Sequence, residues 1–287
     1  MAKEAAATKE EKVSNQELQQ VNSGELMVGD IDWSEDVGAG MESATADSFA
    51  IPFLGILQKG SPQVDEQDGK YIEGAKPGML INTVTGDLFD GKEGVLFIPC
   101  HYQQRFLRWA PRGEGGGAGF KGEIMPEEVA RMRANKEVID FEGRLYFPLA
   151  DGSVHEKKCD ILGDHRNHFG LVIGKDGMPQ QVLMSLASTQ IKHSKVLMSL
   201  LQQKKVETPN GMVTPPTFLN MVRITTRPEQ NEKGSWYGYN FKLEGTVTNK
   251  AMYQAGRDMH KAVANDDVNV NYSAARADEE ATEDGKF

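Results

Sequence analysis

Along this chain the apolar positions fall mostly into short alternating runs bounded by turn residues. Order is expected from about residue 49. In "SFAIPFLGILQKGSPQV", Phe49, Ile51, Phe53, Leu54, Ile56 and Leu57 supply surface to bury, while Pro52 and Pro62 prevent a long helix. "GMLINTVTGDLFDGKEGVLFIPCHYQQRFLRWA" predicts two strands around the turn "DGKEG", the second long and rich in β-branched and aromatic residues. "RLYFPLADGSVHEKKCDIL" predicts a hairpin across Asp151–Gly152, and "FGLVIGKDGMPQQVLMSLA" another turning at "KDGMP". "NMVRITTRPEQ" and "SWYGYNFKLEGTV" predict a last antiparallel pair.

Helical spacing is confined to three places. "MPEEVARMRANKE" has Pro126 near its start, where a helix tolerates it. "STQIKHSKVLMSLLQQKK" is the clearest helix, opening at a Ser/Thr cap. Its expected buried side is Ile191, Val196, Leu197, Leu200 and Leu201, with Lys192 and Lys195 outside. "MYQAGRDMHKAVA" closes the folded region. With strands dominant and no βαβ alternation, the expected class is α+β, mainly β: an OB-type small barrel or a curved antiparallel sheet with insertions.

The ends differ from the middle. Residues 1–47 are Ala-, Glu- and Ser-rich with weak periodicity and predict a disordered acidic arm; residues 265–287 predict a disordered acidic tail; 48–264 form the folded domain. The net charge of −10 at first opposes binding to nucleic acid, but its placement changes that. Residues 1–48 carry 3 Lys against 11 Asp and Glu, and residues 265–287 carry 2 basic against 7 acidic. Subtracting both ends from the totals of 32 and 42 leaves 27 basic and 24 acidic residues in a mildly basic body. No apolar run is long enough for a membrane span, the N-terminus lacks the apolar centre of a signal peptide, and two cysteines suggest a reducing cytoplasm.

The most informative stretch is "HYQQRFLRWAPRGEGGGAGFKGE". In a strand Tyr102, Phe106 and Arg108 share one face, with Arg105 and Trp109 opposite. Cations beside aromatics suit single-stranded nucleic acid, whose bases stack on rings while its phosphates meet positive charge. Tyr102, Phe106 and Trp109 are therefore the expected stacking residues, and Arg105, Arg108, Arg112 and Lys121 the expected phosphate partners, with Lys192, Lys195 and Arg223 as further cations. The competing reading makes these aromatics core and the arginines a solvated face. In "SWYGYNFKLEG", Tyr237, Tyr239 and Phe241 alternate onto one face and read as core, with Trp236 and Lys242 on the other.

Other chemistry is thin. "RGEGGGAGFKGE" lacks the lysine–hydroxyl pair of a phosphate loop. His155, Cys159, His165 and His168 are a weak zinc candidate without a C-x2-C element. No nucleophile–base pair stands out, so neither an enzyme nor a cofactor is expected. The chain ends in "ADEEATEDGKF". Asp278, Glu279, Glu280, Glu283 and Asp284 can compete with nucleic-acid phosphates for a basic groove, and Phe287 suits a pocket on a partner.

The tail, with "PFLGILQKGSPQV", "GMLINTVTGDLF", "PCHYQQRFLRWAPRGEGGG" and "LMSLASTQIKHSKVLMSLL", resembles the single-stranded DNA-binding proteins of tailed bacteriophages. That resemblance implies an OB-type fold and sequence-independent binding of single-stranded DNA in replication and recombination within the host cytoplasm. It also implies recruitment of a polymerase or helicase through the tail. A strand-annealing protein is the near alternative, and a virion or scaffolding protein the alternative of another class. Monomer and homodimer both remain open.

Overall fold

The β-branched and aromatic run around position 100 forms one long strand, and the larger part of the molecule is built on it. The computed structural model describes residues 27–28, 31–32, 34–45, 48–111, 119–232 and 234–272. The chain divides into two units, residues 1–45 and 46–287. In the first, β1 (Met27–Val28) and β2 (Ile31–Asp32) pair antiparallel before a 3-10 turn at Ser34–Asp36.

The second unit contains β3 (Leu54–Ile56), β4 (Leu80–Asn82), β5 (Leu88–Phe89), β6 (Val95–Trp109), β7 (Phe120–Ile124), β8 (Ile139–Phe141), β9 (Arg144–Tyr146), β10 (Ile161–Ile173) and β11 (Pro179–Ala187). It continues with β12 (Val206–Thr208), β13 (Gly211–Val213), β14 (Asn220–Asn231) and β15 (Gly234–Thr246). Three helices accompany them: α1 (Pro126–Ala134), α2 (Ile191–Gln203) and α3 (Lys250–Ala264).

Strands β6 and β10 pair antiparallel from Trp109 opposite Ile161 to Phe97 opposite Val172. Each then shares its outer edge between two neighbours. β14 takes Val95–Phe97 of β6 and β7 takes Phe106–Trp109, while β9 takes Ile161–Leu162 of β10 and β11 takes His165–Ile173. The result is an antiparallel sheet forked at both ends, with β15 beyond β14 and β8 beyond β9. A three-stranded sheet, β3-β4-β5, joins it through one parallel bridge between Phe53 and Leu183. The expected α+β, mainly antiparallel class is therefore what forms. Of its two expected shapes the open sheet is seen, since the described strands do not close into a barrel.

Both faces of the central pair are buried. One carries Phe97, Val172, Met184, Val222 and Phe241 and packs with Leu197 and Leu201 of α2. The other carries Ile98, Leu107, Trp109, Phe169 and Leu171 and packs with Met259 and Val263 of α3. At the forked end Phe106 and Leu162 meet Val129 of α1. Each such side chain contributes roughly 1.5–3 kcal/mol by leaving water, so two helices covering one ribbon outweigh its tendency to stay half exposed.

Local details depart from expectation where a distant strand intervenes. Helix α2 buries His193, Ser194, Leu197 and Leu201, whereas Val196 is 50% exposed. Its N-cap is Gln190, without a side-chain cap bond, after a 3-10 turn at Ser188–Gln190; the expected Ser/Thr cap is absent. Asn249 does cap α3, accepting from the amides of Ala251 and Met252. Residues 265–272, expected to begin the tail, lie on the core instead: Tyr272 is 3% exposed and packs in the second cluster beside Val268 and Val270. Three apolar side chains in eight residues suffice to dock that stretch.

Candidate functional site

The aromatic–cation run of β6 is largely taken up by the core and by ion pairs. Trp109 and Phe106 are 6% and 8% exposed, on opposite faces of the strand, with Trp109 against Phe120 and Phe106 in the α1 cluster. Neither ring can receive a base. Tyr102 is half-buried against His168 and accepts a hydrogen bond from Arg166 (2.9 Å). Arg105 faces Glu123 (3.5 Å) and Asp266 (3.9 Å). Arg108 pairs with Asp160 (2.6 Å) and lies 3.8 Å over the Phe147 ring, and Lys121 reaches the same carboxylate (2.7 Å). Arg112 and the tail residues Asp278, Glu279, Glu280, Glu283, Asp284 and Phe287 lie outside the described residues.

Asp160 is thus an anchor for two cations while itself 7% exposed. Asp160→Asn should lower stability by about 1–2 kcal/mol, less than a fully buried pair because Arg108 and Lys121 keep access to water. A urea-unfolding comparison checks this; an unchanged midpoint would mean the pairs contribute nothing.

The other predicted cations lie where an aromatic is accessible. In β14 alternation puts Arg223, Thr225, Arg227 and Glu229 on the face opposite Val222 and Ile224; in β15 it puts Trp236, Gly238, Asn240 and Lys242 opposite Tyr239 and Phe241. Glu229 is directly opposite Trp236, and Arg223 opposite Lys242. None of these outward residues is buried except Gly238. The core assignment of Tyr239 and Phe241 is what forms, while Tyr237 is half-buried.

Glu229 organises one end of this face. Its carboxylate meets Lys192 Nζ (2.8 Å), Arg227 Nε (3.2 Å), His193 Nε2 (3.3 Å) and the indole N–H of Trp236 (3.1 Å). Lys192 Nζ is also 5.9 Å from the Trp236 ring centre. Gly238 makes this convergence feasible: a Cβ there would fall 2.7 Å from His193 Nε2 and 2.9 Å from Glu229 Cδ. Burial alone would raise the Glu229 carboxyl, but hydrogen bonds from Lys192 and His193 hold it below the usual carboxylate range. Burial lowers His193, against the pull of Glu229. Lys195, one turn along α2, is exposed.

The edge of β15 beside this cluster is sealed. Gln58 donates to the Tyr237 carbonyl (3.0 Å) and accepts from its amide (2.8 Å), and Gln190 donates to the same carbonyl (3.1 Å) and accepts from the Tyr239 amide (3.3 Å). Two glutamines thereby satisfy backbone groups that would otherwise invite another strand. The outward face stays available while the edge does not.

Among the described residues, Arg223, Arg227 and Lys242 of that face, with Lys192 reaching Glu229 from α2, stand against Glu229 and Glu244. Arg223 is paired with Glu244 (2.9 Å). Two of the expected cations, Lys192 and Arg223, are here, with Lys195 exposed one turn further along α2; Trp236, Arg227 and Lys242 lie outside the expected set. The signal for them was present in the matching alternation of "RITTRPE" and "WYGYNFK", once the two strands are laid side by side.

A cleft of about 730 Å³ opens between the stretches of β10 that pair with β9 and with β11, its walls including Gln104, Leu145, Tyr146, Leu162, Asp164 and Arg166. Its floor is internally paired, Asp164 accepting from Gln104 (3.0 Å) and Arg166 (2.7 Å). The weak metal candidates do not converge: His155 is exposed, Cys159 is buried, His165 bonds Ser185 (3.0 Å) and His168 bonds Ser194 (2.8 Å). His165 and His168 are three residues apart on a strand and so face opposite sides. Among the described residues no group of three or more His, Cys, Asp or Glu is placed to hold a metal ion. None of their helices is long and apolar enough to cross a membrane.

Residues 21–269 match the family model described as "Pam3 phage gp34-like protein", and the chain belongs to this family of phage proteins. No curated protein and no solved structure matches it.

Proposed function

We propose that this phage protein binds single-stranded DNA without sequence preference, through the outward face of β14–β15 and the first turns of α2. The supporting observation is the Trp236 indole beside the Lys192 ammonium and the Arg227 guanidinium on a face where cations exceed carboxylates. A ring among exposed cations suits stacked bases and paired phosphates, and it offers no base-specific donor pattern. In this reading the protein is not an enzyme. It acts in the host cytoplasm during phage replication or recombination, and the acidic segment from Asp278 to Phe287 recruits a replication partner such as a polymerase or helicase.

Titration of tryptophan fluorescence with an oligothymidylate and with duplex DNA tests the proposal. Of the three tryptophans Trp109 is buried and Trp33 lies outside the described residues, so quenching carried by Trp236, selective for the single strand and weakened by salt, should persist in Trp33→Phe and be lost in Trp236→Phe. Trp236→Ala should weaken binding roughly 5- to 100-fold, the usual cost of losing a stacked base. No binding at low salt by the intact chain would reject the proposal and favour a virion or scaffolding role, to be sought as co-assembly with capsid subunits.

A further inference from the structure

Four hydrogen-bond donors of different kinds converge on Glu229: an ammonium, a guanidinium, an imidazole and an indole. Such a set on a protein surface is a binding site for an oxyanion, here filled by the protein's own carboxylate. Glu229 is only 10% exposed, whereas Lys192 and Arg227 are 56% and 54% exposed, so both cations can turn outward while the carboxylate is covered. The side chain reaches them over Gly238, where any Cβ would obstruct it. Nothing in the packing of the sheet requires this: the opposite side of β14 supplies the core residues Val222 and Ile224.

We infer that Glu229 is an internal stand-in for a phosphate, and that a phosphodiester of the bound strand displaces it from Lys192 and Arg227. This rests on the proposed single-stranded DNA reading and adds a self-competition to it. The tethered carboxylate keeps the cations ordered and excludes small anions, while a polyanion held also by Arg223 and Lys242 gains enough to replace it. The site is thereby selective for a chain of phosphates over a single one.

The test uses the full chain with Glu229→Gln, which keeps the shape without the charge, and Glu229→Asp, which keeps the charge without the reach. Both should bind an oligothymidylate on the order of tenfold more tightly, the scale of one charge-assisted hydrogen bond. The dependence of affinity on salt discriminates further, because its slope counts the phosphates neutralised. Displacement places Lys192 and Arg227 on phosphates in every version, so the slopes should coincide. A slope steeper in Glu229→Gln by about 0.7 per cation would show that Glu229 keeps its partners in the native complex, and would overturn displacement. Unchanged or weaker binding by both variants would overturn it too, leaving the DNA reading intact if the unmodified chain binds.

Inorganic phosphate is the second probe. Trp236 fluorescence should respond to it at low salt in Glu229→Gln and not, at the same concentration, in the unmodified chain. That response without oligonucleotide binding by any version would reject the DNA reading and retain the anion site. No response in the variant would reject the anion site.

Discussion

Gly170→Ala should lower the thermal unfolding midpoint by roughly 6–12 °C, the equivalent of about 3 kcal/mol in a domain this size. Gly170 sits in β10 where its pairing with β6 slips by one residue, Phe169 facing His101 and Gly170 facing Pro99. A Cβ at that position would lie 2.3 Å from two ring carbons of Phe97 and 2.4 Å from the Ile98 carbonyl oxygen. Phe97 is fully buried in the first core and cannot swing away, and Ile98 presents backbone rather than a flexible side-chain tip. Relief would have to come from separating β6 and β10, the pair that carries both cores. Gly55→Ala is the matched control, since its Cβ would meet only Ile81 Cγ2 at an ordinary 3.6 Å and should shift the midpoint by less than about 2 °C. Equal midpoints for the two variants would mean that the slipped register is not the one in solution.

Beyond the bulge at Cys100 the sequence shows the pattern of the strand but not its surroundings. Within residues 102–109 alternation was legible, and Arg105 does lie opposite Phe106 and Arg108. Whether either face met water was not, because that depends on α1, α3 and Asp160, all remote in sequence. A strand buried on both sides and one half exposed can share a local pattern when polar residues are paired rather than solvated. The same limit applies to α2. Lys192 and Leu197 were placed correctly, but His193 and Ser194 are buried because Glu229 and His168 arrive from other strands to bond them. Conversely, β15 was legible because Tyr239 and Phe241 bury by simple alternation, which leaves Trp236 and Lys242 outward. The candidate site was therefore visible strand by strand and invisible as a surface. Its assembly rests on the β14–β15 register and on one glycine over which a carboxylate can pass.

His168→Gln should remove about one proton from the acid dependence of stability, a slope change of up to about 1.4 kcal/mol per pH unit between pH 4 and 6. His168 is 2% exposed, shares a hydrogen bond with Ser194 (2.8 Å) and packs against Tyr102 with the rings tilted by 48°. Burial first, and then the Arg166 charge, push it down to about 3. In the unfolded chain it titrates near the ordinary 6.5, so between these values the unfolded state binds the extra proton. The stability from keeping His168 neutral is thus complete above about pH 6.5 and is lost progressively as pH falls towards 3. His101 and His193 are also lowered by burial and add the same sign, so the full chain should lose stability faster than one histidine requires. Glutamine can still hydrogen-bond Ser194 but takes up no proton, which makes the slope, rather than the stability at neutral pH, the informative quantity. Urea unfolding of both proteins at several pH values measures it, and a ring-proton NMR titration of His168 should show no protonation above about pH 4. Equal slopes, or a His168 signal that titrates near 6.5, would place the ring in contact with water and remove the Tyr102–His168–Ser194 contact from the native structure.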